Sequence, residues 1–463
     1  MTYDPSQLSR IFKLLIDKDD MLPDEARVRL QSCTLQIKCG ADLRSKPGLQ
    51  AALLTMLNVG ARTFLGDISV CMDDVTSASN VLVPWAPGCS LRDAIGEVTP
   101  RVQIDPNGGE SDHSYLFVLG DVVSTRSDAV RMSYEGWDAI VCPGKSDVRG
   151  AEDGRCILAA VLAGALAISE VFMQFADISP YAAKRMVRVP LWVEAGKGTV
   201  EGPTIQYLPG EAWLLGLGHL GQAFGWCLSM LPYARPGDVQ LILHDYDRVE
   251  PANIDTGVLS YQDHVGELKA RVVESFLSKR GFKANNVERP FHKGVTVQKG
   301  EPALALCGFD GKGPRSALDQ ANFKEVIECG LGAGHDDFHS IIMHSLPNPA
   351  RSAADLWPTR ATPDSRAESL KNRRFYTEAA KQDHCGHIAL ANQAIAVPFV
   401  GVTAACFAVA ESIRALHNGP RYAVLGCDLR RPDRLHLVHL NRDSEVIAFQ
   451  EVAYGGKICK HAS

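Results

Sequence analysis

The sequence predicts an α/β protein with two domains in one chain. Each is expected to be a mostly parallel sheet flanked by helices, the N-terminal one a degenerate copy of the other. Three observations carry this. Trp213-Leu214-Leu215 runs into Gly216-x-Gly218-x-x-Gly221, and a helical segment then leads to a second apolar run, Val239 to Leu243, that ends in Asp245-Tyr246-Asp247. Strand, glycine turn, helix, strand and acid in that order make half of a parallel α/β unit. A strand at Cys33 to Cys39, a helix from Pro47-Gly48 and a strand ending near Asp67 or Asp73 repeat that layout without the second and third glycines. Two long stretches rich in small residues, Gly154 to Phe175 and Val397 to Leu416, end in related phrases that align Glu170 with Glu411. An internal duplication accounts for all three; the alternative is two unrelated domains that share a common layout.

Length and composition agree. At 463 residues the chain exceeds a single hydrophobic core, and two domains of roughly 200 residues are expected. Boundaries at 1–195 and 196–463 fit, with the Gly- and Pro-rich stretch 189–212 as linker. Apolar residues make up 46% and charged residues 22%, as in an ordinary globular protein. A net charge of −6 gives no electrostatic case for nucleic acid or an anionic membrane surface. The two apolar stretches run straight into Glu170 and Glu411, which argues for helices buried against a sheet rather than bilayer spans. The thirteen cysteines form no C-x-x-C pair, so neither a disulfide framework nor a zinc knuckle is expected, and a reducing cytoplasm is the expected compartment. The N-terminus lacks the basic and apolar regions of a signal peptide.

The remaining elements follow in order. Leu8, Ile11, Phe12, Leu15 and Ile16 have helical spacing, and Pro23-Asp24-Glu25 suits the start of a second short helix. The helix after Pro47 places Leu49, Leu53, Met56 and Leu57 on one face; it is expected to break at Asn58-Val59-Gly60 before a strand over Thr63 to Val70. Tyr115 to Leu119 and Ala139 to Cys142 read as short buried strands, and Arg421 to Leu425 and Leu435 to Leu440 as strands edging the second domain. The second copy is the longer one, and its extra length falls at Ser345 to Gln382, which is polar, Pro-interrupted and without clean periodicity. Such a segment inside a compact domain is more often functional than architectural.

The residues after the second glycine-unit strand narrow the chemistry. Asp245 and Asp247 are followed by Val249, by Asn253, by Gly266-x-x-Lys269 and, much later, by Cys307-Gly308-Phe309-Asp310 with Arg315 beyond. A carboxylate at the end of that strand is placed to hold ribose hydroxyls. A lysine and an amide returning to the same crevice suit phosphates. As an ordered set these positions resemble the ThiF/MoeB/ubiquitin-activating-enzyme superfamily, strongly over 213–330 and more loosely through the helix at 397–416. The resemblance implies two Rossmann-like adenylation-type domains and ATP- and Mg2+-dependent adenylation of a C-terminal carboxylate. Gly216, Gly218, Gly221, Asp245, Asp247, Asn253, Lys269 and Arg315 would then bind ATP, and Asp310 the magnesium ion.

One departure stands out. The family's asparagine is followed three residues later by an arginine, whereas here the line reads Asn253-Ile254-Asp255-Thr256-Gly257. The superfamily works as dimers or pseudo-dimers in which the partner's N-terminal helix supplies an arginine. Arg10 occupies the comparable location in the degenerate copy, so the first domain is expected to be an inactive half that completes the second one's site. The alternative is a surface arginine on an amphipathic helix.

Members of the superfamily that form thioesters need an accessible thiol. Cys385, in Asp383-His384-Cys385-Gly386-His387, precedes the helix at 397 and is expected on a loop near 345–395. It is the expected nucleophile; a neutral buried cysteine, or a zinc site drawn from His384, Cys385 and His387, remain open. Cys307 and Cys329 are expected to be buried, and His335 to His339 to be a loop. A fused inactive-plus-active chain with a compact cysteine segment looks most like the activating enzymes of bacterial ubiquitin-like conjugation operons, some of which act in phage defence. That implies a small β-grasp (ubiquitin-like) protein as substrate, a thioester on Cys385 and transfer to a conjugating enzyme. A sulfur-carrier-protein adenylyltransferase is the nearest alternative; a dinucleotide-dependent oxidoreductase and an inactive scaffold are more distant ones.

Overall fold

The computed structural model describes residues 4, 6–146, 148–194, 198–199, 201–358, 366–382, 384–440, 448–454 and 457–458. Its two large sheets repeat one plan. The first contains β1 (Leu35–Cys39), β2 (Ile68–Cys71), β3 (Val102–Ile104), β4 (Tyr115–Leu119), β5 (Val130–Glu135), β6 (Asp138–Pro143) and β7 (Val187–Pro190), in the order β3-β2-β1-β4-β5-β6-β7. The second contains β8 (Glu211–Leu215), β9 (Gln240–His244), β10 (Lys283–Val287), β11 (Leu304–Cys307), β12 (Glu325–Leu331), β13 (Ser340–Leu346), β14 (Tyr422–Asp428) and β15 (His436–His439), in the order β10-β9-β8-β11-β12-β13-β14-β15. In each sheet the first five strands pair in parallel and the later ones antiparallel. Both chains of strands reverse direction beside the first strand, between β1 and β4 and between β8 and β11, which is where ligands enter sheets of this kind.

The helices that serve these sheets are α1 (Arg10–Asp19), α2 (Pro23–Gln31), α3 (Pro47–Thr63), α4 (Leu91–Val98), α5 (Ile157–Phe175), α6 (His219–Ser229), α7 (Lys269–Ser278), α8 (Arg374–Gln382), α9 (His384–Asn392) and α10 (Pro398–Leu416). Helices α3 and α5 of the first half and α6 and α10 of the second pack together between the sheets, in one continuous hydrophobic core. Phe172 of α5 lies 5.4 Å from Phe399 of α10, and Trp226 Nε1 of α6 donates to Thr55 Oγ1 of α3 at 3.0 Å. Parallel strands covered on both faces need near-continuous apolar runs, and the helices over them need small residues for close approach. That is why α5 and α10, long and apolar enough to cross a membrane by length and composition, are buried here.

The duplication extends to the aligned glutamates. Glu170 is buried and its Oε2 accepts from the Ala183 amide at 2.8 Å; Glu411 is buried and its Oε1 accepts from the Tyr422 amide at 3.2 Å. Each carboxylate ties its helix to the chain that follows.

Three expectations need correction. Helix α3 does not break at Asn58-Val59-Gly60 but runs on to Thr63, and the next strand begins only at Ile68. Gly60 lets α3 approach its neighbours: a Cβ there would lie 3.0 Å from Leu35 Cδ1 and 3.2 Å from Ile168 Cδ1. The stretch read as linker, 189–212, overlaps only the end of β7 and the start of β8 and joins the two sheets. The polar segment after Ser345 holds helices at Ala353–Leu356 and Arg366–Leu370 and also α8, where described. The position of Cys385 lies on α9 rather than on a loop. Helix α8 docks on the first half, where Phe375 and Tyr376 are buried. Lys13 Nζ donates to the Tyr376 hydroxyl at 2.9 Å, Asp17 accepts from both, and the Arg374 guanidinium pairs with Glu25 at 3.1 Å.

Candidate active site

The site begins at the end of β8. Gly216 has φ +77°, a left-handed backbone that favours glycine. Gly221 passes so close that a Cβ on it would lie 2.0 Å from the Gly216 carbonyl oxygen, and a Cβ on Gly308 would lie 2.6 Å from Leu220 Cβ. Gly218 differs: a Cβ there would meet nothing within 4 Å. The turn therefore packs tightly underneath and leaves open space over the N-terminus of α6, where the unpaired amides of a first helical turn favour an anion.

Acids and a lysine rim this cradle. Asp245, at the end of β9, is buried; it accepts from the Leu217 amide at 2.5 Å and from the Asp247 amide at 2.7 Å. Burial pushes its carboxyl up, against the opposing pull of Lys269 and those amides. Asp247 Oδ2 lies 3.2 Å from Lys269 Nζ, and the Lys269 amide, opening α7, donates to the Asp247 carbonyl at 2.9 Å. Asn253 closes a short 3-10 turn, its Oδ1 accepting from the Glu250 amide at 3.0 Å. Asp310 follows β11 and is exposed. Arg315 is held by the sheet: its Nε donates to the Phe309 carbonyl at 2.7 Å and lies 3.0 Å from Glu328 Oε1, with Trp357 beneath the guanidinium. Its guanidinium, like the Asn253 amide, is thereby engaged by the protein itself.

Arg10 reaches this region from the first half. Its Nη1 donates to the Ala394 carbonyl at 3.0 Å; burial draws its pKa down, and the charges of Asp255, Glu250 and Asp310 oppose that. The turn that lacks the family's arginine is where the first half docks. The Ala252 amide donates to the Ser6 carbonyl at 2.8 Å, and Ser9, the N-cap of α1, donates to Asp255. Arg62 of α3 donates to the carbonyls of Ile254 at 3.3 Å and Val258 at 3.1 Å and lies over the Tyr261 ring. Sequence reasoning missed Arg62, Asp255 and His219. Only the last carried a signal, as a bulky residue directly after Gly218.

The first half closes the corresponding crevice with its own charges. Asp42 Oδ1, beyond β1, accepts from the Asp121 amide at 2.8 Å, and Asp42 Oδ2 pairs with Arg149 at 2.6 Å; Lys46 Nζ lies 2.9 Å from Glu152 Oε2. Burial works against ionisation of Asp42, yet that amide, Arg149 and Lys46 hold its carboxyl below the usual range. The Asp42 carboxylate lies over Gly40 and Gly120, where an added Cβ would sit 2.7 Å and 2.4 Å from its Oδ1.

Cys307 and Cys329 are fully buried, and burial pushes both thiols far up, which makes them inert. Residues 335–338 form the turn between β12 and β13. The side chains of His384, Cys385 and His387 lie outside the described residues. Among the described residues no group of three or more His, Cys, Asp or Glu could hold a metal ion. A single exposed carboxylate such as Asp310 suits a hard cation that keeps most of its ligands as water and phosphate oxygen.

The fold is that of a bacterial E1-like protein. Family profiles described as the BilD N-terminal domain and the BilD C-terminal domain match residues 34–191 and 208–419. The chain is 36% identical over 433 residues to the "Bacterial E1-like protein BilD" of Collimonas sp. (strain OK412), covering 91% of each. The chain belongs to the BilD family of bacterial E1-like proteins. Among solved structures it is similar to E. coli MccB with AMPCPP and MccA (TM-score 0.33, 16% identity, 50% of this chain and 65% of that one). It is also similar to E. coli TcdA in complex with ATP (TM-score 0.30, 16% identity, 45% of this chain and 86% of that one).

Proposed function

We propose that the protein activates a small ubiquitin-like, β-grasp protein, adenylating its C-terminal carboxylate with ATP and passing the acyl group to Cys385 as a thioester before transfer to a conjugating enzyme. The observation that supports this best is the open cradle over Gly218, rimmed by Asp245, Lys269 and Asp310, with Arg10 delivered from the first half. The Gly216–Gly221 amides and the α6 N-terminus receive the phosphates. Asp245 takes the ribose hydroxyls, and Lys269 and Arg10 offset charge on the triphosphate. Asp310 would hold a magnesium ion, which neutralises phosphate charge when bound.

In the first step a carboxylate oxygen of the substrate attacks the α-phosphorus, and the bond to pyrophosphate breaks. In the second the Cys385 thiolate attacks the acyl carbon; the C–S bond forms and AMP leaves with the electron pair of the broken C–O bond. The BilD likeness supports this assignment over a dinucleotide-dependent oxidoreductase. A cytoplasmic site of action in antiviral defence is part of the same proposal.

The test is incubation with candidate β-grasp proteins, ATP and magnesium, followed by non-reducing electrophoresis. A thiol-sensitive adduct lost in Cys385→Ala is expected. An adduct that survives that substitution contradicts the cysteine assignment, and no pyrophosphate release with any candidate contradicts the activation itself.

A further inference from the structure

The chain between α9 and α10 is held from three sides. The Ile395 amide donates to the Ala333 carbonyl at 2.9 Å, beside the β12–β13 turn. Arg10 holds the Ala394 carbonyl from α1. The third hold is His219. Its ring lies against the backbone of Val397 and Pro398 and over Gly401, where a Cβ would sit 2.3 Å from His219 Nε2. That nitrogen is buried and has no hydrogen-bond partner. His219 is also the first residue of α6, directly after the Gly218 whose side-chain direction is open.

One residue therefore belongs to the phosphate cradle through its backbone and to the start of α10 through its ring. We propose that His219 is a positioning residue that passes occupation of the Gly216–Gly221 loop to residues 394–401, and through them to the helix α9 that carries Cys385. This rests on the nucleotide reading above. A packed imidazole suits the task because it is rigid and fills the gap between two first helical turns, so a shift of the loop is not absorbed by a rotating side chain. It is also kept uncharged. Burial, and then the neighbouring Arg10 charge, push its pKa down to about 4, so it adds no second cation beside Arg10.

The test uses the full chain and the ATP analogue AMPCPP with magnesium chloride, following amide hydrogen exchange over residues 384–401. The wild type is expected to change protection there on binding. His219→Ala, which deletes the contact, and Gly401→Ala, which displaces the ring, are each compared with wild type at an AMPCPP concentration that saturates that variant, set from its own titration. Both should lose the change at 384–401, and His219→Gln should restore part of it. Matching melting curves exclude a variant that has failed to fold. Wild-type binding without any change at 384–401, or a change that persists in both alanine variants, overturns the proposal. Absence of AMPCPP binding by the wild type overturns the nucleotide reading and this proposal with it.

Discussion

At the scale of single residues, two side chains report directly on how the site is built. Asp255 is buried at the junction of the halves, held by Ser9 and the Ile11 amide, and burial raises its carboxyl to about 6. A carboxyl whose folded pKa lies above its unfolded value favours folding most in its protonated form. Its contribution is complete below pH 4 and is lost as pH rises through 6, a swing on the order of 3 kcal/mol. Thermal melts of Asp255→Asn against wild type between pH 4 and pH 8 should therefore show the variant gaining relative stability as pH rises; a constant difference would contradict the assigned burial. Gly218 makes the complementary prediction. Gly218→Val should fold, because a Cβ there meets nothing within 4 Å, yet lower ATP affinity by at least ~10-fold by filling the cradle. Calorimetric titration checks it, and unchanged affinity would move the phosphates elsewhere. The placement of the glycine motif, Asp245, Lys269 and Asp310 at the ends of β8 and β9, the start of α7 and the end of β11 was legible because it follows from a local order of strand, turn and acid. Arg62 and Asp255 were not, because their roles come from an α3 helix and an N-terminal segment distant in sequence.

At the scale of elements, the segment bearing Cys385 is anchored by α8 on the first half. Tyr376 is buried and its hydroxyl is shared by Lys13 and Asp17. Tyr376→Phe should destabilise the protein by about 1–3 kcal/mol, because a buried ion pair loses a polar partner. Urea unfolding measures this, and a neutral substitution would mean that the network is solvated. This element was illegible in the sequence for a physical reason. Its buried residues Phe375, Tyr376 and Ala379 make only one short stripe at helical spacing, set in a polar, Pro-interrupted segment, too brief to stand out in the sequence. Helix α3 was misread for the opposite reason: Gly60 looks like a breaker but serves close helix packing.

At the scale of the molecule, the two halves share one core through α3, α5, α6 and α10. The chain should therefore unfold in a single cooperative transition. Thr55→Val, which leaves Trp226 Nε1 without its acceptor across the seam, should shift that transition by about 1–3 kcal/mol without splitting it. Two separate calorimetric transitions would contradict the shared core. The duplication was readable from Glu170 and Glu411 because each must be buried and paired in the same way. The sealing of the first crevice was not readable, since Asp42, Lys46, Arg149 and Glu152 meet only in space. That asymmetry, one open cradle and one filled by its own carboxylate, is the centre of the account. It is tested most directly by titrating the full chain with AMPCPP and magnesium in a calorimeter. One site per chain is expected, abolished by Lys269→Ala together with Gly218→Val and unaffected by Glu152→Gln. Two sites per chain, or a single site that survives the paired substitution, would contradict it.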